Sequence, residues 1–353
     1  MTIFYLVAGA ALISFVLCTL ARHLPLLDAP DGGRKQQAAP VPRTGGIGIF
    51  GAILITLGAF AVMAEPSSLA QMPAGRILFA VALAVTPWAI GFLDDWLGLS
   101  ALLKLALLCG WAVIAAIPFF MLGGTGGWLL GIAVIVWLIV ITNAVNFMDG
   151  ANGLALGSIA IMHVALFPLF AVLMLCFGSC VPDPIGEFAM IAQFAMFGAV
   201  LGFLVWNLRG GLYAGDCGSL GAGGLFGLMA VYHLGDGMDG VRAALLALTL
   251  ALPFLIDVLL TLAWRTFKGR NLLQAHTDHA YQRLIARGWG HLSVATFWWS
   301  MTLICAVMGV VTMFGAAEST DQADDFPVLQ LTALVALAAI GSVFWWLERS
   351  RTQ

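Results

Sequence analysis

The chain has 353 residues, of which 61% are apolar and only 9% are charged, and its formal net charge is −3. A soluble globular protein has about 25% charged residues, so this composition excludes a soluble fold and predicts a polytopic membrane protein. The small negative charge provides no basic field for nucleic acid, which we exclude as a partner.

Eleven apolar stretches are each long enough to cross a bilayer, which takes about 20 residues per helix. They predict an all-α polytopic membrane protein, with a single integral domain over 1–353 and short connections between the helices. No basic segment precedes the first stretch, so we interpret it as a spanning helix and not as a signal peptide. The predicted spans are 2–21, 45–64, 76–93, 102–122, 128–146, 153–178, 187–206, 217–234, 241–264, 293–314 and 327–347.

Lysine and arginine predict the orientation, because cytoplasmic loops are enriched in both. With the N-terminus outside and the C-terminus in the cytoplasm, 13 of the 15 basic residues lie in cytoplasmic segments and only Arg76 and Arg242 lie outside. Five polar clusters then fall on the cytoplasmic side, which favours chemistry at that interface. The predicted cytoplasmic loops are about 22–44, 94–101, 147–152, 207–216 and 265–292.

The first cluster is the adjacent acid pair Asp94 and Asp95 at the end of the third apolar stretch. Two charged carboxylates side by side at a membrane boundary are costly unless a cation lies between them. They predict either a metal and acid/base pair or an interfacial acid pair offset by Lys104. Lys104 itself is placed to contact a phosphate or to extend towards the interface.

The second and third clusters combine polar side chains with glycines. The segment 143–154 holds four amide or carboxylate side chains, and its glycines let the backbone approach a ligand. In the segment 213–221, Asp216 opens a glycine-rich helix, an arrangement that suits phosphate and its divalent cation. The alternatives are an ordinary polar turn and an aspartate N-cap, respectively.

The fourth cluster, His276 to Leu284, lies in the longest cytoplasmic loop. Its two histidines with Asp278 resemble zinc ligands, but the other clusters are hard oxygen groups that favour magnesium. We expect histidine and arginine here to bind diphosphate or sugar hydroxyls, with a solvated loop as the alternative. Asp257, within the ninth span, is either functional or paired with Arg265.

The fifth cluster is basic, and it comprises Arg34, Lys35 and Arg43. These residues satisfy the topology rule without a further role. Basic groups at this position also attract an anionic lipid head group or a nucleotide.

Together the motifs resemble the polyprenyl-phosphate N-acetylhexosamine-1-phosphate transferases of glycosyltransferase family 4. The resemblance covers about residues 22–290, and it is nearer to the O-antigen and capsule initiating enzymes than to the peptidoglycan enzyme. The motifs that carry it are LDxPxxxRK and PxPRxGG before the second span, Asp-Asp after the third, NxxNFxDGxxGL after the fifth, GDxGS before the eighth and HxxHxYQRL after the ninth.

The resemblance implies transfer of a sugar 1-phosphate of the N-acetylhexosamine type from a UDP-sugar to undecaprenyl phosphate, which releases UMP and initiates a cell-surface glycan. It implies Mg²⁺, with Mn²⁺ as a substitute, held by Asp216 with help from Asp95. Asp94 then deprotonates or positions the lipid phosphate, and a double displacement through a phospho-aspartate stays open. The substrate-binding assignments are Asn146, Asp149, Asn152, Asn207 and Tyr213 for uridine, His276, His279 and Arg283 for the sugar or diphosphate, and Arg34, Lys35 and Arg43 for anionic groups.

The resemblance also implies a multi-pass protein of the bacterial inner membrane, with its active site on the cytoplasmic face. It leaves open whether the protein assembles as a homodimer. Gln37 and Asn152 depart from the family pattern, which commonly has histidine and aspartate there, and this leaves the donor sugar open. The alternative function is a membrane transporter or lipid flippase. Such a protein is expected to carry polar groups near the middle of the membrane, whereas here they gather at one face.

Overall fold

A computed structural model of the chain describes residues 2–30, 39–63, 74–177, 184–235, 240–274, 276–314 and 326–350. Its described part contains eleven helices of 19 residues or more, one short helix and one two-stranded antiparallel ribbon that pairs Leu27 with Pro42. In chain order the elements are α1 (Thr2–Ala21), β1 (Leu27–Asp28), β2 (Val41–Pro42), α2 (Gly45–Met63), α3 (Ala74–Leu97), α4 (Ala101–Phe120), α5 (Gly124–Met148), α6 (Leu154–Phe177), α7 (Pro184–Asn207), α8 (Gly215–Gly235), α9 (Gly240–Phe267), α10 (Ala280–Ala286), α11 (His291–Phe314) and α12 (Phe326–Ser350).

The all-α membrane fold predicted from composition is confirmed. Nine helices of the described chain are long and apolar enough to cross a membrane, and the eleven long helices lie where the eleven apolar stretches predicted them. Two long helices are not in that set of nine. Helix α6 contributes only a shorter apolar stretch, Leu154–Leu166. Helix α8 contains seven glycines, which lower its hydropathy.

The glycines of α8 allow this helix to pack against α2, α3, α5, α6 and α9. Gly221 lies against the indole of Trp88, and Gly224 lies against Pro87, so a Cβ atom at either glycine would collide with α3. Small residues let helix backbones approach closely in a membrane. The consequence for function is that α8, which carries Asp216, is held at the centre of the bundle.

The expected boundary that bears most on the site differs from the structure. The acid pair Asp94 and Asp95 was expected in a loop after the third span, but α3 continues to Leu97 and the turn occupies only residues 98–100. The apolar run ends at Leu93, yet the helix gains one more turn because Asp95 is bound by the neighbouring α8, as described below. Arg34 and Lys35 lie outside the described residues.

Candidate active site

Two distant backbone segments meet beside the start of α8. Residues 42–46 pair with residues 213–214 through three backbone hydrogen bonds of 2.8 to 2.9 Å. Gly215 then turns the chain into α8 with a φ of +70°, a conformation that suits glycine. A Cβ atom at Gly215 would also collide with the carboxylate of Asp95. This junction fixes where the first residues of α8 lie.

Lys104 lies between two carboxylates that are 122 residues apart in the chain. Its Nζ is 3.0 Å from Asp94 Oδ2 and forms a second ion pair with Asp216 Oδ2. All three side chains are mostly buried. Two acids and a lysine that were separate in the sequence therefore form one charged group.

Asp95 has a different environment from its neighbour. Its side chain is only 3% exposed, and Oδ2 accepts a hydrogen bond of 2.8 Å from the amide of Cys217. Arg43 approaches from the other side, with Nε 3.7 Å from Asp95 Oδ1 and a guanidinium nitrogen 2.6 Å from the Asp95 carbonyl oxygen. A carboxylate at a helix N-terminus satisfies free amides and interacts favourably with the dipole. Asp95 thus anchors α8 and sets the position of Asp216.

The second polar cluster reaches the same acids from α5. Asn146 donates a hydrogen bond of 2.9 Å to the hydroxyl of Ser219 and also bonds to Asp216. Asp149 directly follows α5, and its pKa is raised well above its ordinary value by burial and by the negative charges of Asp216 and Asp95. We call Asp94, Asp95, Asp149 and Asp216, with Lys104 and Arg43, the acid cluster.

Two further predicted residues have mainly structural contacts. Asn207 is buried, with Oδ1 accepting from the Gly153 amide at 2.6 Å and Nδ2 donating to the Leu212 carbonyl at 2.9 Å. Asn152 is partly exposed beside it, and its backbone amide donates to His291 Nδ1 at 3.1 Å. Asn207 therefore ties the loop after α5 to the loop before α8.

Tyr213 is a partly exposed residue on the turn before α8. Burial raises the pKa of its phenol, and the charge of Asp28 on β1 raises it further. Tyr213 therefore stays neutral at physiological pH, with a hydroxyl that is able to donate as well as accept a hydrogen bond.

The fourth predicted cluster forms what we call the histidine loop, residues 276–287, which includes α10. Tyr281 anchors it to the end of α5, because its hydroxyl donates to the Phe147 carbonyl at 3.0 Å. His276 and His279 lie side by side with ring centroids 5.0 Å apart. Arg283, expected to face the sugar or diphosphate, donates to the carbonyls of Glu348 and Arg349 at 3.2 and 3.3 Å.

Buried acids hold the histidine loop at its start. Asp257, 2% exposed within α9, accepts from the amides of Ala280 and Tyr281 at 2.8 and 3.4 Å, and its Oδ1 is 3.4 Å from Nδ1 of His279. Arg265, two turns further along α9, forms its ion pair with Asp278 instead, and the charge of Asp257 acts on Arg349.

Asp278 is fixed by more than one cation. Burial alone would raise the pKa of its carboxyl, but the hydrogen bond from Arg265 and the charges of His276, Arg265 and Arg270 bring the pKa below its ordinary value. This carboxylate is therefore ion-paired with neighbouring side chains, and it holds the start of the histidine loop against α9.

Sequence reasoning gave no role to two residues that shape the acid cluster. Ser219 links Asn146 to the Gly215 carbonyl, and it was only quoted as part of a motif. Gly91 lies one helical turn before Asp95, and a Cβ atom there would collide with the backbone of Asp216. A small residue one turn from an acid was the only signal for this contact in the sequence.

The donor set fits a hard cation such as Mg²⁺. Four carboxylates face two basic side chains in the acid cluster, which leaves excess negative charge, and the raised pKa of Asp149 has that charge among its causes. In the described part of the chain, no three acidic, histidine or cysteine side chains are arranged to hold an ion by themselves. Phosphate oxygens and water would complete the coordination, as is usual for Mg²⁺.

Comparison with known proteins gives one family. The model of "Glycosyl transferase family 4" matches residues 76–234, which include Asp94, Lys104, Asp149 and Asp216. Curated proteins named phospho-N-acetylmuramoyl-pentapeptide-transferase are similar over most of their length. The one from Synechococcus sp. is 32% identical over 65% of this chain and 70% of its own.

Two further relatives of that name extend the match. The protein from Bacillus cereus is 30% identical over 79% of this chain and 86% of its own, and that from Micrococcus luteus is 29% identical over 82% and 86%. The expected nearer likeness to O-antigen and capsule enzymes stays a prediction. The motifs, the convergence of their residues and these similarities lead to one conclusion: the chain belongs to glycosyl transferase family 4.

Proposed function

We propose that this protein transfers a sugar 1-phosphate from a UDP-sugar to undecaprenyl phosphate, and that it releases UMP. The observation that carries the proposal is the Lys104 bridge between Asp94 and Asp216. It shows that acids from two distant motifs share a single charged group. Such a group suits a reaction in which one phosphate must approach another.

In the proposed reaction an oxygen of the lipid phosphate attacks the phosphorus that carries the sugar. A new P–O–P linkage forms, and the bond to the UMP oxygen breaks. Both reactants are anionic, so catalysis depends on neutralising charge and aligning the groups. Lys104 contributes one positive charge on the chain itself, and bound Mg²⁺ would contribute the remainder.

The chain's residues take distinct parts in this proposal. Asp94 positions the lipid phosphate or removes its proton, and Asp216 is the best-placed ligand for Mg²⁺, since it borders both Lys104 and Asn146. Asp95 acts through α8, because its oxygens are directed to the Cys217 amide and Arg43. Asn152 and Tyr213, both partly exposed beside the cluster, are proposed to bind uridine.

The donor is proposed to be a UDP-N-acetylhexosamine, and the product to initiate a cell-surface glycan at the inner membrane of a bacterium. The acid cluster is proposed to face the cytoplasm, where UDP-sugars are made. The name of the relatives supports a second donor, a UDP-N-acetylmuramoyl-pentapeptide, so the donor test must include both classes.

The test is release of labelled UMP by the purified protein. UDP-N-acetylhexosamines and UDP-N-acetylmuramoyl-pentapeptide are offered separately, each with and without undecaprenyl phosphate and Mg²⁺, with Asp216→Asn as the inactive control. We expect UMP only when the lipid phosphate is present, and from one donor class much more than from the other. Lipid translocation in vesicles without UMP release from any donor would support the flippase alternative instead.

A further inference from the structure

The last turn of α12 packs directly onto the histidine loop. Arg287 donates to Glu348 twice, with Nη1 2.7 Å from carboxylate Oε2 and Nη2 2.9 Å from the carbonyl oxygen. Arg283 donates to that same carbonyl and to the carbonyl of Arg349. We call Glu348 and Arg349, with their partners Arg283 and Arg287, the C-terminal brace.

The brace satisfies a general need of helix ends. The last carbonyls of a helix have no partner within the helix, and the negative end of its dipole favours cations. Here two guanidinium groups of the histidine loop occupy that position. Glu348 and Arg349 are only 5% and 7% exposed, whereas the side chain of Arg287 is 27% exposed, so a buried carboxylate meets a guanidinium that reaches the solvent.

Aromatic contacts hold α12 in register with α9. The guanidinium of Arg349 lies over the rings of Trp264 and Trp345, 3.6 and 4.6 Å from their centroids. Trp345 donates to the hydroxyl of Thr261 at 3.2 Å, and that hydroxyl is 3.3 Å from Asp257 Oδ1. The brace is therefore connected to the acid that anchors the start of the histidine loop.

The other side of the histidine loop contacts the candidate active site. Tyr281 bonds to the carbonyl of Phe147, two residues before Asp149. The ring of His279 is 6.1 Å from that of Phe147, centroid to centroid. The loop thus lies between the brace on one side and the end of α5 on the other.

We propose that the C-terminal brace is a positioning element of the donor site: Arg287 and Glu348 hold the histidine loop where the partly exposed His276 reaches the nucleotide sugar, with the buried His279 packed beside it. The inference rests on the proposed function, because it takes the donor as the ligand of the loop. It assigns a role to α12, which lies beyond the motifs and beyond the part of the chain that the family model matches.

The test is a double-mutant cycle on the charged pair, with Glu348→Gln, Arg287→Gln and the double variant. KM for the UDP-sugar, kcat, the thermal midpoint and hydrogen exchange of residues 276–287 are measured on each. Arg287→Gln removes the positive charge that faces a buried carboxylate, whereas Glu348→Gln leaves Arg287 bonded to the backbone carbonyl. We expect KM to rise about tenfold in Arg287→Gln and about twofold in Glu348→Gln, with kcat changed less than KM.

The double variant discriminates between coupling and independent effects. Two glutamine side chains are able to hydrogen-bond to each other without a buried charge, so we expect a smaller rise in KM than in Arg287→Gln alone. Exchange should increase in residues 276–287 and not in α3 or α8. Lys268→Gln is the matched control, because this exposed cation lies eight residues before the same loop in the chain, and we expect it to change neither KM nor exchange.

Two outcomes would overturn the inference. In the first, the rise in KM of the double variant equals the product of the rises in the two single variants, so the two residues act independently. In the second, the thermal midpoint falls while KM and the exchange of residues 276–287 stay unchanged, so the pair is only structural. Failure of the proposed function is distinguishable, because then the unaltered protein releases no UMP from any donor. Hydrogen exchange would still decide whether the brace holds the loop.

Discussion

The acid cluster and the histidine loop are both rich in charge, but they use it differently. In the acid cluster, Lys104 bridges Asp94 and Asp216, and the negative charge exceeds the positive. At the histidine loop, Asp257 of α9 binds backbone amides of the loop, and Asp278 is paired with Arg265. Excess negative charge in one region favours a cation, which can in turn hold phosphate groups, whereas the paired charges around the histidine loop hold the chain in place.

The largest expected effect comes from removing charge in the acid cluster. Asp216→Asn should lower transfer about a thousandfold, because preorganised electrostatics commonly contribute that much to catalysis. Asp278→Asn is the matched control in the histidine loop, and we expect it to reduce stability more than turnover. UMP release and the thermal midpoint of both variants check this. If Asp216→Asn and Asp278→Asn lost turnover equally and had equal thermal midpoints, the acid cluster and the histidine loop would not differ in function.

The packing that places Asp216 gives the next largest effect. Gly91→Ala adds a methyl group against the backbone of Asp216, which should shift the start of α8 and reduce turnover about tenfold or more. Gly110→Ala on α4 is the control, since no atom lies within 4 Å of its added Cβ. Turnover of Gly91→Ala equal to that of Gly110→Ala would show that the acid cluster tolerates the displacement.

Replacing the buried acid of α9 tests the structural character of the histidine loop. Asp257→Leu leaves the amides of Ala280 and Tyr281 without their acceptor, which should reduce the free energy of unfolding by about 1–3 kcal/mol. Asp257→Asn keeps one acceptor oxygen and should lose less. Denaturation of both variants in the same detergent checks the order. A greater loss in Asp257→Asn than in Asp257→Leu would contradict this role.

The smallest effects are pH dependences of opposite sign in the two regions. The raised pKa of Asp149 means that the folded protein holds this proton more tightly than the unfolded chain does. Above the ordinary pKa, stability therefore falls as the pH rises towards the raised value. We expect Asp149→Asn to raise the thermal midpoint of the metal-free protein by a few degrees at neutral pH, and Mg²⁺ to narrow that difference.

Asp278 should show the reverse. Its pKa is lowered in the folded protein, so its contribution to stability is present above the ordinary pKa and is lost as the pH falls through the lower value. Asp278→Asn should therefore lower the thermal midpoint at neutral pH and have no effect in strong acid. Thermal midpoints from pH 2 to 8 for both asparagine variants check the two signs, and parallel profiles would contradict the comparison.

Much of the fold was predictable because membrane-spanning helices satisfy their own backbone and need only about 20 apolar residues. The stretches 45–64 and 217–234 were the weakest predictions because both are rich in glycine, yet both are helices. The continuation of α3 to Leu97 was not predictable, since it depends on a contact with α8 that is remote in the sequence.

The sequence by itself determined the membrane class, the number of long helices and the motifs that contain the candidate site residues, because each follows from local composition and spacing. Only the tertiary structure decided how those residues are used. Asp94 shares Lys104 with Asp216, Asp95 anchors α8, and Arg283 binds the end of α12. The physical reason is that ion pairs and helix caps depend on distances across the fold, which neighbours in the chain do not determine.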